Sequence, residues 1–204
     1  MRGLAPLMLA IAALPCAAQA QDAADYPVRE VLTAFATACS GVEDTAVNLA
    51  SAEAAGWEHL AEDADTPVSQ LMRRGLEALE AQSAAGGTKM PELIAGGGFR
   101  KQVAGRTLYL AVSGAKVDGV ASHGCRLYDF EAPRGVSAEE LEGWAARAPD
   151  DFEEAPDGAT RATFSPGLKP GHAGMQANYV PPGTDPMPAF SVGGITLVAS
   201  AVDF

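Results

Sequence analysis

The first half of the chain repeats apolar residues with the spacing of a helix. Val28, Val31, Leu32, Phe35 and Cys39 occupy positions i, i+3, i+4, i+7 and i+11 of one stripe. This spacing predicts a helix whose buried face carries Cys39 near its end.

Two further helices are predicted to follow. The first runs from a capping box at Ser40–Glu43 through Ala54 or Ala55, and Gly56 can take the left-handed conformation that ends it. The second is capped by Thr66, has Pro67 in its first turn and stops at Gly86-Gly87. Its apolar stripe consists of Val68, Leu71, Met72, Leu76 and Leu79.

The second half changes to the alternation that is typical of strands. Leu108, Leu110 and Val112 alternate with other residues, and Asp118-Gly119 favours a hairpin turn. A hairpin centred on that turn places Cys125 opposite Val112 on the returning strand.

One more helix and three more strands are predicted after this hairpin. A capping box begins the helix, and Pro149 ends it. The cap is Ser137–Glu140, and the strands are Ala159–Phe164, Met175–Val180 and Ile195–Ala201. The pattern leaves parallel and antiparallel pairing open for the last three strands.

These elements predict an α+β fold with about three N-terminal helices, followed by an antiparallel sheet with one further helix. We expect residues 21–95 to form a helical part and residues 96–204 a mainly β part of the same domain. Gly96–Gly98 is the predicted hinge between them.

The N-terminal residues have the pattern of a signal peptide. Arg2 precedes an apolar run from Leu4 to Ala18, and Ala18-Gln19-Ala20 has the small residues that a signal peptidase recognises. We expect residues 1–20 to be removed by cleavage between Ala20 and Gln21. The mature chain would then work in the periplasm or outside the cell.

Charge and hydropathy narrow the choice of partners. The formal net charge of −12 disfavours nucleic acid and anionic lipid, although an exported protein also carries such charge simply to stay in solution. No segment after the leader is long and apolar enough to insert in a membrane. Pro15 fits poorly before a lipidated Cys16, so acylation is disfavoured. A protein of the cell envelope or a small ligand remains as the expected partner.

Cys39 and Cys125 are the two cysteines that remain after cleavage. An even pair in an oxidising compartment predicts one disulfide.

The segment Ser122-His123-Gly124-Cys125 resembles the cysteine motif of the L,D-transpeptidases, exported enzymes that cross-link peptidoglycan. The resemblance implies Cys125 as nucleophile, a nearby imidazole such as His123 as base, and Arg126 as the stabiliser of developing negative charge. Two features depart from that motif. Arg126 directly follows Cys125, without the apolar residue that the motif has between them, and no histidine lies about seventeen residues before Cys125.

A longer stretch is similar to an uncharacterised family of small exported proteobacterial proteins. The similarity lies in the spacing of Phe35 and Cys39, the ending Ala54–Trp57, Gly124-Cys125, the helix 137–144 and the closing segment 179–191. It implies pairing of Cys39 with Cys125 and no particular activity.

Metal and cofactor sites have little support. His59, His123 and His172 are scattered, and the acidic run Asp150–Glu154 lacks the ligand pattern of a calcium loop, which predicts a solvated loop. We therefore expect no metal and no cofactor.

The favoured interpretation is a disulfide-stabilised binding or accessory protein of the cell envelope, more plausibly not an enzyme. The alternative is a diverged transpeptidase that uses Cys125.

Overall fold

A computed structural model describes residues 23–61, 63–86, 89–184 and 192–203. The predicted signal peptide and its cleavage site lie outside these residues. So do Gly87 and the segment 185–191.

Four helices are present among the described elements. The predicted first helix is confirmed, and the capping box at Ser137–Glu140 starts the fourth with both of its hydrogen bonds. Their bounds are α1 Val28–Ala38, α2 Thr45–Ala54, α3 Pro67–Ala84 and α4 Ala138–Ala145.

Eight strands form a single antiparallel sheet in the order β1-β2-β3-β4-β8-β7-β6-β5. Two four-stranded meanders therefore meet where β4 pairs with β8. The strands are β1 Glu58–His59, β2 Glu92–Val103, β3 Arg106–Val117, β4 Val120–Asp129, β5 Asp151–Glu154, β6 Thr160–Phe164, β7 Gly174–Val180 and β8 Gly194–Asp203.

The class is α+β, but the sheet dominates and the order of elements differs from the prediction. The short strand β1 separates α2 from α3, and β2 begins at Glu92. The glycines Gly96–Gly98 lie inside β2, paired with Ser113, Val112 and Ala111, and are therefore not a hinge. The acidic segment Asp151–Glu154 is the edge strand β5 and not a loop.

The N-terminal cap of α2 also differs from the prediction. The Asp44 carboxylate accepts hydrogen bonds from the amides of Ala46 and Val47, at 2.8 and 3.0 Å, so the helix starts four residues after Ser40. A carboxylate here also compensates the positive end of the helix dipole.

Helices cover both faces of the sheet. The main core lies between α1, α2, α4 and one face of the sheet, where Leu110, Val112, Cys125 and Leu127 are fully buried. A smaller core lies on the other face, where Val68 of α3 packs with Leu60, Ala111 and Tyr128.

The central covalent bond of the main core joins Cys39, directly after α1, to Cys125 in the middle of β4. The two Cα atoms lie 5.6 Å apart, and the bond closes a separation of 86 residues. Cys125 is paired with Val112, as the hairpin register predicted. In the chain-entropy treatment, a loop of this length stabilises the fold by about 4 kcal/mol.

Candidate functional site

The three residues of the cysteine motif share β4 but not one face. Cys125 is fully buried and its Sγ is bonded to Cys39 Sγ, so the structure holds a disulfide where the transpeptidase reading needs a thiolate. His123 lies two residues earlier on the same face. Arg126 lies on the opposite, exposed face, because successive residues of a strand alternate.

His123 joins a hydroxyl to a carboxylate. Its Nδ1 is hydrogen-bonded to the Thr45 hydroxyl at 2.7 Å, and its Nε2 lies 3.3 Å from Oδ2 of Asp203. When Nε2 donates to Asp203, the neutral ring leaves Nδ1 as the acceptor for the Thr45 hydroxyl. The order hydroxyl, imidazole and carboxylate is that of a hydrolase triad.

Burial prevents this triad from acting on a substrate. Thr45 is 3% exposed, and its hydroxyl faces the backbone of Gly114, the β3 residue paired with His123. An ideal Cβ placed on Gly114 would overlap Thr45 Oγ1. The triad therefore fastens the start of α2 to the middle of the sheet.

A second buried polar network holds the start of α1. The Tyr26 hydroxyl donates to Oδ2 of Asp129 at 2.9 Å, and Arg106 donates to both carboxylate oxygens of Asp129 at 2.9 and 3.1 Å. Burial, and then the negative charge of Asp129, raises the pKa of Tyr26. The phenol thus stays protonated and keeps α1 on the end of β4.

An apolar cavity of about 30 Å³ lies beside the disulfide. His172 lines it with Cys39, Trp144 and Met175. Its Nε2 is buried, has no hydrogen-bond partner among the described residues and lies 3.9 Å from Oε2 of Glu43. Removal from water, and secondarily the nearby Lys169, lowers the pKa of His172, while Glu43 opposes that shift. His172 is therefore a buried neutral imidazole.

A cleft of about 460 Å³ lies between α1 and the end of β2. Volumes of this size are typical of small-molecule sites. Its polar wall consists of Arg29, Glu30, Thr33, Thr37, Lys101 and Gln102, and its apolar wall consists of Ala34, Ala55, Trp57 and Val103.

Lys101 and Arg29 are the two cations of the cleft, and each lies near the end of a helix. Lys101 Nζ donates to the carbonyl oxygen of Ala55 at the end of α2, where the helix dipole favours a positive charge. Arg29 is exposed in the first turn of α1 and forms no ion pair with any described residue. Two cations thus face a cleft whose carboxylate is Glu30.

Trp57 supplies an unsatisfied donor in the same wall. The indole is 4% exposed, and its Nε1 is buried without a hydrogen-bond partner among the described residues. Its amide donates to the carbonyl of Ala52, which turns the chain back at Gly56, φ +76°. Nε1 of Trp57 is thus an exception to the rule that buried donors have partners.

The sequence pattern does not predict the cleft. The apolar stripe of α1 predicts the buried face of that helix, whereas Arg29, Thr33 and Thr37 lie outside the stripe. Lys101 belongs to a strand that was not predicted. The one available signal was Trp57 directly after a helix-ending glycine.

Comparison of the chain with protein-family models, curated proteins and solved structures finds no match in any of the three. Within the described ranges, no cluster of three histidine, cysteine or carboxylate side chains could hold a metal ion. No described helix is long and apolar enough to cross a bilayer.

The contact between Thr45 and Gly114 predicts coupled effects on stability. Gly114→Ala should lower the free energy of unfolding by about 1–3 kcal/mol, because the new methyl group overlaps the Thr45 hydroxyl. Thr45→Ala should lower it by about 1–2 kcal/mol, because a buried hydrogen bond is lost. The double variant should lose less unfolding free energy than the two single losses added together, because Thr45→Ala removes the hydroxyl that the new methyl group overlaps.

Urea unfolding measures all three variants. Gly193→Ala is the matched control, because a Cβ there meets no atom within 4 Å and it should be nearly neutral. If the double variant loses as much unfolding free energy as the two single variants together, the contact between Gly114 and Thr45 is contradicted.

The burial of His172 predicts a pH dependence of stability. Its folded pKa lies below the ordinary 6.5, so the unfolded chain takes up the proton first as the pH falls. Above pH 6.5 the neutral imidazole makes its full contribution to stability. This contribution is lost as the pH falls from 6.5 towards the folded pKa. His172→Gln should therefore flatten the unfolding free energy between about pH 7 and pH 5.

The comparison is made by urea unfolding across that range, with His59→Gln, which removes an exposed imidazole, as control. If the unfolding free energy of His172→Gln depends on pH as steeply as that of the wild type, the buried neutral imidazole does not cause the pH dependence.

Proposed function

We propose that this chain is an exported, disulfide-stabilised binding protein of the cell envelope, which holds a small anionic ligand in the cleft between α1 and β2. The observation that carries the proposal is the combination of two cations, Arg29 and Lys101, with the apolar wall at Trp57 in one cleft.

The wall of the cleft defines the ligand's chemistry. A carboxylate or phosphate group would pair with Arg29 and Lys101, because charge-assisted hydrogen bonds are the strong ones. The Thr33 and Thr37 hydroxyls already donate to backbone carbonyls, at 2.7 and 2.8 Å, and have lone pairs left to accept. An apolar portion of the ligand would lie against Trp57.

Export is supported by two independent features. Residues 1–20 have the pattern of a signal peptide, and the fold contains a disulfide, a bond that persists in oxidising compartments. The accessory, non-catalytic role is supported by the geometry at β4. Cys125 is bonded to Cys39, Arg126 lies on the other face, and the Thr45 hydroxyl is enclosed.

Tryptophan fluorescence tests the binding site directly. The chain has two tryptophans, so a Trp144→Phe background leaves Trp57 as the only reporter. We expect members of a panel of small carboxylates, phosphate esters and dipeptides to change its emission on titration. Arg29→Glu should weaken that binding at least about tenfold, because an attractive charge becomes repulsive.

Lys116→Glu is the control, since it makes the same charge change at an exposed position of β3 away from the cleft. The proposal is contradicted if no member of the panel changes Trp57 emission, or if Arg29→Glu binds as well as Lys116→Glu.

A further inference from the structure

Helix α3 carries an apolar face that the described part of the chain leaves largely uncovered. Of its 18 residues only Val68 is fully buried, while Met72 and Leu76 are 40% and 39% exposed. Met72, Leu76 and Leu79 follow each other at spacings of four and three residues. That spacing is the seam through which two helices pack side by side.

The charges beside this seam are arranged to complement a second copy of themselves. Arg73 follows Met72 and Glu80 follows Leu79, seven residues apart, so both lie along the same edge of the seam. In an antiparallel pair of α3 helices with the two-fold axis beside Leu76, Arg73 of each copy faces Glu80 of the other. A two-fold interface is self-complementary in this sense.

We propose that the protein forms a homodimer through antiparallel packing of α3, with Met72, Leu76 and Leu79 in the interface and two reciprocal Arg73–Glu80 ion pairs along it. Among the described residues, the ion pair of Arg73 is a long, exposed contact of 3.6 Å with Asp65.

The charges on the outer side of α3 provide a matched control. Arg74 and Glu77 are exposed like Arg73 and Glu80, but their helical positions point away from the seam. Arg74→Glu therefore makes the same charge change as Arg73→Glu without entering the interface.

The test is sedimentation velocity of the purified, disulfide-intact protein over a concentration series. Wild type and Arg74→Glu should reach twice the monomer mass. Arg73→Glu and Glu80→Arg should each weaken dimerisation by on the order of tenfold or more, because both ion pairs become like-charge contacts.

Mixing the two charge-reversed variants tests the antiparallel arrangement of the helices. Arg73→Glu and Glu80→Arg, each weak alone, should form a heterodimer when combined, because every pair across the interface is then opposite in charge. The charge-swapped double variant, Arg73→Glu with Glu80→Arg, should dimerise by itself. Added salt should weaken the heterodimer.

A wild-type protein that remains monomeric at all concentrations would overturn the proposal. It is also overturned if dimers form but Arg73→Glu behaves like Arg74→Glu, or if the mixture of the two weak variants gives no heterodimer. Circular dichroism of each variant establishes that it is folded before it is scored.

Discussion

The bond between Cys39 and Cys125 ties the last turn of α1 to the strand in the middle of the sheet. At its other end α1 is held by the hydrogen bond from Tyr26 to the buried Asp129. A helix fixed at both ends cannot shift or rotate, so its outer flank stands at a set distance from β2. The proposed ligand site in the α1–β2 cleft depends on this, because a binding site requires that its walls be held in place before the ligand arrives.

Close packing also explains the unusual surface that the sheet presents to α2. Large side chains would hold the helix away, whereas Gly97 and Gly114 let it approach closely. The approach encloses polar groups, and Thr45 is satisfied by His123 while the Asn48 amide has no hydrogen-bond partner in the described residues. The hydroxyl, imidazole and carboxylate of Thr45, His123 and Asp203 therefore serve to pack α2 on the sheet.

Sequence reasoning succeeded where local signals and the fold agree. The stripe of α1, the turn at Asp118-Gly119 and the cysteine opposite Val112 were all predicted, because each depends on neighbours in sequence. It failed at β2, where Gly96–Gly98 carry no side chains to alternate, and so it missed Lys101 and the cleft. No periodicity reveals a site assembled from one flank of a helix and a strand more than sixty residues away.

The most direct test of this account is the intact mass of the protein recovered from the periplasm, after alkylation under denaturing and non-reducing conditions. The account predicts a chain that begins at Gln21 and carries no alkyl group, because Cys39 and Cys125 are bonded to each other. A chain that carries two alkyl groups would contradict it. The fixed position of α1 would then lose its covalent basis, and Cys125 would be a free thiol beside His123.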